Sequence, residues 1–444
     1  MTTRKPAPSA GKKTTKHKVG FLVFAPMKAK RKDNSFKGNG NIGLRVVLRQ
    51  MVTAGFDCRP CMSYTADDFP VVLVSMTSTY DIAEFLRQVR RLEWWQPGRR
   101  KFKVVVGGAG LTNPCALRHY ADYAVVGRCE DWIADVVGCI FDGGHVSHPS
   151  VMPLPEMGQV VVGQADNLYP HKIGDWQETA IGCPNSCSFC LYRWTRKCIG
   201  HGGAYKNLTL AGEKSPELMF LDLLKLDRKL GRIRCAIDGF SERLRFKFGK
   251  RITDQQITDV INHVGSFEGT TVMTVYNICN MPTESEDDRL SLYRAIKAAS
   301  PVNRVIFILH STPFRPSNCT PAQWEAADIT CRRGWRQQTI VDRENLLSKH
   351  SYTIETAWSH LLSLLIERAR PEHDPAIYAA LDLIGKTMKD DERVKHMKTT
   401  YPWAVDDAVR AYSIGDPCHP AALISGYEGR DRVARIAEML RVNG

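Results

Sequence analysis

The sequence predicts an α/β protein in three parts. These are a parallel-sheet domain over residues 17–145, a second α/β block over 176–325 and a helical region over 326–444. Three observations carry this. Apolar runs of strand length alternate with segments whose apolar residues recur at helical spacing, first in one block and again in the next. A stretch with Pro149, Pro153, Pro155 and Pro170 separates the blocks and reads as a linker over 146–175. From about residue 326 the chain turns helical. A length of 444 residues also exceeds one ordinary core and calls for two or three domains.

The elements follow in order. VGFLVF (19–24) is a buried strand, and IGLRVVLRQMVTAG (42–55) is a helix that stops at Gly55. VVLVSM (71–76) and IAEFLRQVRRLEWW (82–95) repeat the pair. FKVVVGGAG (102–110) is a strand running into a glycine turn, YAVVG (123–127) a short strand, and EDWIADVVGCIF (130–141) a helix. The alternation implies a parallel sheet of the nucleotide-binding type. Near the other end, TIETAWSHLLSLLIERAR (353–370) has an apolar face and stops at Pro371, and DPAIYAALDLIGKTM (374–388) starts with Asp374 as cap and Pro375 in the first turn.

Charge is unevenly spread. The formal net charge is +14, yet residues 1–32 hold ten Lys and Arg with no Asp or Glu. The remainder is therefore only mildly basic. Residues 1–16, rich in Lys, Thr, Pro and Ser, are expected to form a disordered basic arm. Such an arm either finds nucleic acid or keeps the chain in solution. It carries no apolar segment of the secretory kind, and no apolar run is long enough to span a membrane. The expectation is a cytoplasmic protein without a membrane partner.

Fourteen cysteines are many for such a chain. Ten are scattered and read as reduced, mostly buried small residues. Cys58 and Cys61 form a CxxC pair with no second pair at zinc-finger spacing. The segment TAIGCPNSCSFCLYRW (179–194) is different. Cys183, Cys187 and Cys190 are spaced C-x3-C-x2-C, so three thiolates can hold three irons of a 4Fe–4S cube and leave the fourth open to a small chelating molecule. An all-cysteine electron-transfer cluster would need a fourth thiol, and Cys198 is the one nearby.

This motif, with Phe189 at the aromatic position, resembles the signature of the radical SAM superfamily. The resemblance implies a cluster that reduces S-adenosylmethionine to a 5′-deoxyadenosyl radical, fed by an electron donor such as flavodoxin or ferredoxin. More of the pattern follows. In LTLAGEKSPE (208–217), Gly212 and Glu213 match the element that holds the methionine amine. The run GFSERLR (239–245) followed by KRIT (250–253) resembles the subfamily with an N-terminal cobalamin-binding-type, Rossmann-like domain. There Ser241, Glu242 and Arg243 would meet the ribose or carboxylate of the cosubstrate; otherwise they are an ordinary surface ion pair. VYNICNMPTESEDD (275–288) and VIFILHSTPFRPSNCTPAQW (305–324) resemble the fifth and sixth strands. The implied fold over 176–325 is a partial (βα)6 barrel with its ligands at the C-terminal strand ends.

The first domain often binds cobalamin in this subfamily, through a histidine loop after the first strand. The loop here, APMKAKRKDNSFKGNGNIG (25–43), contains no histidine. Ser75 and Thr77 at the end of one strand, and Gly107 and Gly108 at the end of the next, keep the outline of a cobalamin-type site. The glycines either let a ligand approach closely or merely turn the chain.

Three functions fit. The first is radical rearrangement or carbon modification of a hypermodified nucleic-acid base, akin to an isomerase of viral thymidine hypermodification. It draws on the basic arm and on Tyr192, Arg193, Trp194, Arg196 and Lys197 behind the cluster motif, read as exposed stacking and phosphate-binding groups. The second is a cobalamin-dependent C-methyltransferase or cyclase for a small metabolite. The third is a non-catalytic iron–sulfur binding protein.

Overall fold

A computed structural model describes residues 17–24, 42–172, 176–178, 180–200, 208–210, 218–299, 305–329, 351–353, 356–416, 419, 423–425 and 430–442. The basic arm at 1–16 and the loop 25–41 lie outside them.

The first sheet contains β1 (Lys18–Val23), β2 (Asp57–Pro60), β3 (Val71–Ser75), β4 (Lys103–Gly107), β5 (Tyr123–Val125) and β6 (Val151–Pro153). Their spatial order is β2-β1-β3-β4-β5-β6, parallel except for the antiparallel edge strand β6. The central strands are runs of Val and Leu because both faces are covered. On one face α1 (Ile42–Thr53) and α3 (Ile133–Phe141) pack over Val19, Phe21, Val71, Leu73 and Val105. On the other, α2 (Thr79–Val89) covers Leu22, Val72, Val74, Val104 and Val106. The strand order reverses direction between β1 and β3, and such a switch point opens a crevice at the C-terminal strand ends.

Two local differences from the sequence reading have simple causes. Helix α2 begins at Thr79 rather than 82, because Ser78 and Asp81 form a capping box that starts it early. Strand β2 is only DCRP, too short and polar to show as an apolar run. The stretch read as a linker also does more than connect. It supplies β6 to the first sheet, and β7 (Val160–Val161) pairs in parallel with β14 (Ile424–Ser425).

In the second block, β8 (Trp176–Glu178) leads into the cysteine segment and its short helix α4 (Leu191–Trp194), and β9 (Leu208–Leu210) pairs back on β8 antiparallel. Then come β10 (Arg232–Ala236), α5 (Glu242–Lys247), α6 (Asp254–Ser266), β11 (Thr271–Cys279), α7 (Glu286–Ala298), β12 (Val305–Pro313) and β13 (Ser351–Thr353). Strands β10 to β13 form a four-stranded parallel sheet in that order. Helices α6 and α7 bury one face of it through Ile257, Val260, Leu292 and Ile296 against Ile233, Met273, Val275 and Leu309. A six-stranded partial barrel was expected. Among the described residues the parallel part has four strands, and β8 and β9, three residues each, bond to one another instead of continuing it.

The helical region is α8 (Ala357–Glu367), α9 (Asp374–Leu383), α10 (Asp390–Thr400), α11 (Pro402–Val409) and α12 (Arg430–Val442). It does not form a core of its own. Helix α8 is buried at Trp358 and from His360 to Glu367, and it packs on α2 in the core of the first sheet. Arg368, fully buried, donates to the carbonyls of Ala408 and Arg410 through one terminal nitrogen and of Gln323 and Glu325 through the other. One guanidinium thereby joins α8, the end of α11 and the exit of the second block. Helix α12 packs through Val433 and Ala437 on Trp194 and Trp324. Among the described residues no helix is long and apolar enough to cross a membrane.

Candidate functional site

The cysteine segment folds as a closed loop because Ile181 and Ile199 bridge its ends. Inside it, the Trp194 indole N–H donates to the Cys187 carbonyl at 2.7 Å, and the Cys190 N–H to the same carbonyl at 3.3 Å. From outside, the Ser188 N–H donates to Phe248 and the Ala322 N–H to Ser188. Phe189 is partly buried against Phe248 in an aromatic group with Phe314 and anchors the loop rather than standing free. Trp194 was read as an exposed base-stacking residue. It is instead 2% exposed, tied by its indole hydrogen bond and covered by α12, so it offers no face to a base. Arg193 lies over its ring, 4.9 Å from the centroid.

Cys187 is buried, Cys183 and Cys190 are half-buried, and Cys198 is exposed. Burial pushes the Cys187 thiol up to about 12, and nearby Cys190 and Cys183 add to it while Lys250 opposes it. All three motif thiols therefore act within one electrostatic neighbourhood. Among the described residues no group of three or more His, Cys, Asp or Glu side chains already converges as an ion would require. The donor set nonetheless suits an iron–sulfur cluster: three thiols on one short loop, one buried and two accessible. Because ligating thiols must be deprotonated, loading releases protons, and a nearby cation favours it.

That cation is Lys250, which the sequence reading passed over although it is the first residue of KRIT. Its ammonium sits 2.7 Å from the Asp238 carboxylate, with both side chains largely buried. Burial works against the charged lysine, but Asp238 and the thiols of Cys187 and Cys190 outweigh it and raise its pKa above the ordinary value. Asp238 follows the end of β10, so the pair sits where parallel strands present ligands.

The neighbouring Ser241, Glu242 and Arg243 each have a protein partner. The Ser241 hydroxyl caps α5 and donates to Asp288 at 2.5 Å; Arg243 donates to both Asp288 oxygens and to the Thr283 carbonyl. Burial would raise the Asp288 carboxyl, but these bonds hold it well below the usual carboxylate range. Glu242 accepts the Asp254 N–H at the start of α6. These contacts order the start of α5 and tie it to α6 and α7. Gly212 and Glu213 lie outside the described residues.

The second feature is a cavity of about 480 Å³ at the C-terminal ends of β3, β4 and β5. Ser75, Thr77, Gly107 and Gly108, all singled out from sequence, line it together. Its volume falls within the roughly 300–1,000 Å³ usual for small-molecule sites. Gly108 has φ +123°, and a Cβ there would lie 2.3 Å from the Met76 carbonyl oxygen. Thr77 is fixed by its hydroxyl and N–H, both donating to Asp81. The polar end holds Arg128, paired at 2.6 Å with Glu178 of β8 and at 3.3 Å with Glu130. Leu191, Thr195 and Arg196, just beyond Cys190, form part of the same lining. Cavity and thiol loop thus share a wall.

Replacing Gly108 by alanine is expected to cost about 1–3 kcal/mol, because the backbone is both left-handed and crowded. Gly43→Ala, on the same cavity with nothing within 4 Å of its Cβ position, should cost little. Urea unfolding of the two variants reads the difference.

No family model and no curated protein matches the chain. Solved structures of the cobalamin-dependent S-adenosylmethionine radical enzyme OxsB are similar to it. The apo form aligns with a TM-score of 0.23, the form with aqua-cobalamin with 0.24, and the form with aqua-cobalamin and S-adenosylmethionine with 0.20. Identity is 10% in each, over 96% of this chain and 56% of OxsB. The chain therefore spans little more than half the length of that enzyme.

Proposed function

We propose that the chain is a radical SAM enzyme in which Cys183, Cys187 and Cys190 hold a 4Fe–4S cluster. The supporting observation is the thiol loop itself: C-x3-C-x2-C closed at its ends, with its cysteines in one electrostatic neighbourhood beside a buried ammonium at a strand end. Such a cluster supplies the electron that splits S-adenosylmethionine into methionine and a 5′-deoxyadenosyl radical. Gly212 and Glu213 would take the methionine amine. The cavity behind the loop receives a second cofactor of the cobalamin class. Gly107 and Gly108 admit its nucleotide-like tail close to the backbone, and the apolar wall of Leu44, Leu73 and Val105 excludes water.

The substrate is a modified nucleic-acid base, brought in by the basic arm at 1–16 and changed by rearrangement or carbon modification. Burial of Trp194 removes one support for that substrate and favours the second reading, methyl transfer to, or cyclisation of, a small metabolite. Deleting 1–16 separates the two. Weaker nucleic-acid binding with a flatter salt slope supports the base, and a full-length chain that binds neither DNA nor RNA at low salt supports the metabolite. The test of the enzyme class is anaerobic reconstitution followed by reduction with S-adenosylmethionine. The expected product is 5′-deoxyadenosine; iron-loaded, reduced protein that forms none overturns the proposal.

A further inference from the structure

Two turns, one of them against the thiol loop, are held by one side chain. Arg245 is fully buried. Its guanidinium donates to the Gly239 carbonyl at 3.1 Å and to the Ile252 carbonyl at 2.7 Å, and it pairs with Asp254. The first bond fixes the turn after β10, where Asp238 (φ 52°) and Gly239 (φ 150°) adopt positive φ. Asn277 on β11 secures the same turn by accepting the Gly239 N–H at 2.7 Å. The second bond fixes the segment after α5, where the Lys250 N–H donates to the Arg245 carbonyl at 2.8 Å.

The result is that Asp238 and Lys250, twelve residues apart, meet at 2.7 Å with both backbones held. The segment carrying Lys250 then lies directly against the cysteine loop. A Cβ at Gly249 would stand 2.3 Å from the Ser186 carbonyl oxygen and 3.5 Å from the Cys187 Cα. The Phe248 carbonyl, one residue further back, accepts the Ser188 N–H at 2.8 Å. The Lys250 backbone is thus pinned beside the cysteine loop, and its ammonium is held by Asp238.

We infer that Lys250 is a positioning residue that sets the reduction potential of an iron–sulfur cluster on Cys183, Cys187 and Cys190. The inference rests on the radical SAM reading above. Its physics is simple. Reduction adds one negative charge to an assembly already carrying three thiolates. A fixed positive charge, shielded from water by burial, stabilises the more negative state, and net charge near the sulfurs is one of the levers on such potentials. Asp238 holds the ammonium in place and keeps the site from carrying an uncompensated cation when no cluster is bound.

The experiment uses the full-length chain, reconstituted anaerobically with iron and sulfide, as wild type, Lys250→Met, Lys250→Arg and Lys247→Met. Iron content is measured first, then the midpoint potential by a dye-mediated titration followed by electron paramagnetic resonance, without S-adenosylmethionine. Lys250→Met is expected to shift the midpoint to a more negative value. Lys250→Arg should stay near wild type because it keeps the charge, and Lys247→Met should not move because that lysine faces Thr283 instead. Equal midpoints for wild type and Lys250→Met overturn the inference and leave the enzyme class standing. If Lys250→Met fails to fold, a Lys250→Arg midpoint clearly displaced from wild type, despite the retained charge, overturns it as well. A wild-type chain that takes up no cluster overturns both.

Discussion

Cys187→Ala is expected to abolish iron loading at the cysteine loop and, with it, 5′-deoxyadenosine formation. In the proposed cluster three ligands leave no redundancy, because the C-x3-C-x2-C spacing would leave one iron without a protein ligand. Cys187 is the deepest of the three, and its backbone carbonyl takes hydrogen bonds from Trp194 and Cys190. Since those bonds use the main chain, alanine leaves the loop standing while the sulfur is lost. The same expectation holds for Cys183→Ala and Cys190→Ala, whereas Cys198→Ala, on an exposed residue, should load iron nearly as wild type. Iron and sulfide assays with the visible spectrum of the reconstituted chain check this. Wild-type-like loading in any of the first three variants would show that the cluster is held elsewhere.

The largest expected effect on stability comes from Arg368→Met. The variant keeps most of the side-chain volume but takes the guanidinium donor from the carbonyls of Gln323, Glu325, Ala408 and Arg410, of which Gln323 alone is also met by His419, at 3.0 Å, among the bonds described. A single buried acceptor without a partner costs about 1–3 kcal/mol, so the combined loss should be on the order of 3–5 kcal/mol after relaxation. Arg368→Lys should recover only part, because an ammonium cannot fork to two pairs of acceptors. Urea unfolding followed by tryptophan fluorescence reads it, with Trp324 one residue from two of those carbonyls among the nine tryptophans that contribute. An unchanged first transition in Arg368→Met would show that the clamp contributes nothing.

Much of this was legible in the sequence, and the reasons differ by element. Strands β1, β3 and β4 showed as Val-rich runs because they are buried on both faces. Ser75, Thr77, Gly107 and Gly108 could be singled out together because strand ends in such sheets carry ligands, and all four line one cavity. Lys250 was hidden, since a lysine twelve residues from its aspartate gives no pattern until a turn brings them together. Trp194 misled because its exposure depends on α12, more than two hundred residues away, which no local signal reveals. The helical region misled in a subtler way. Its periodicity was plain, but periodicity says which face is apolar and not what will cover it.

That last point bears on how the chain is made. Thr79, at the start of α2, and Glu367, at the end of α8, bond to each other across a separation of 288 residues. A ribosome releases the first sheet and α2 long before it releases the helix that packs over α2. Until then the side of α2 that packs on α8 is left uncovered. The first block cannot complete itself during synthesis as an independent unit, and the slow closure of so long a loop delays the final step. Expression at lower temperature, or with added chaperone capacity, should therefore raise the yield of folded protein more than any change confined to the first 145 residues.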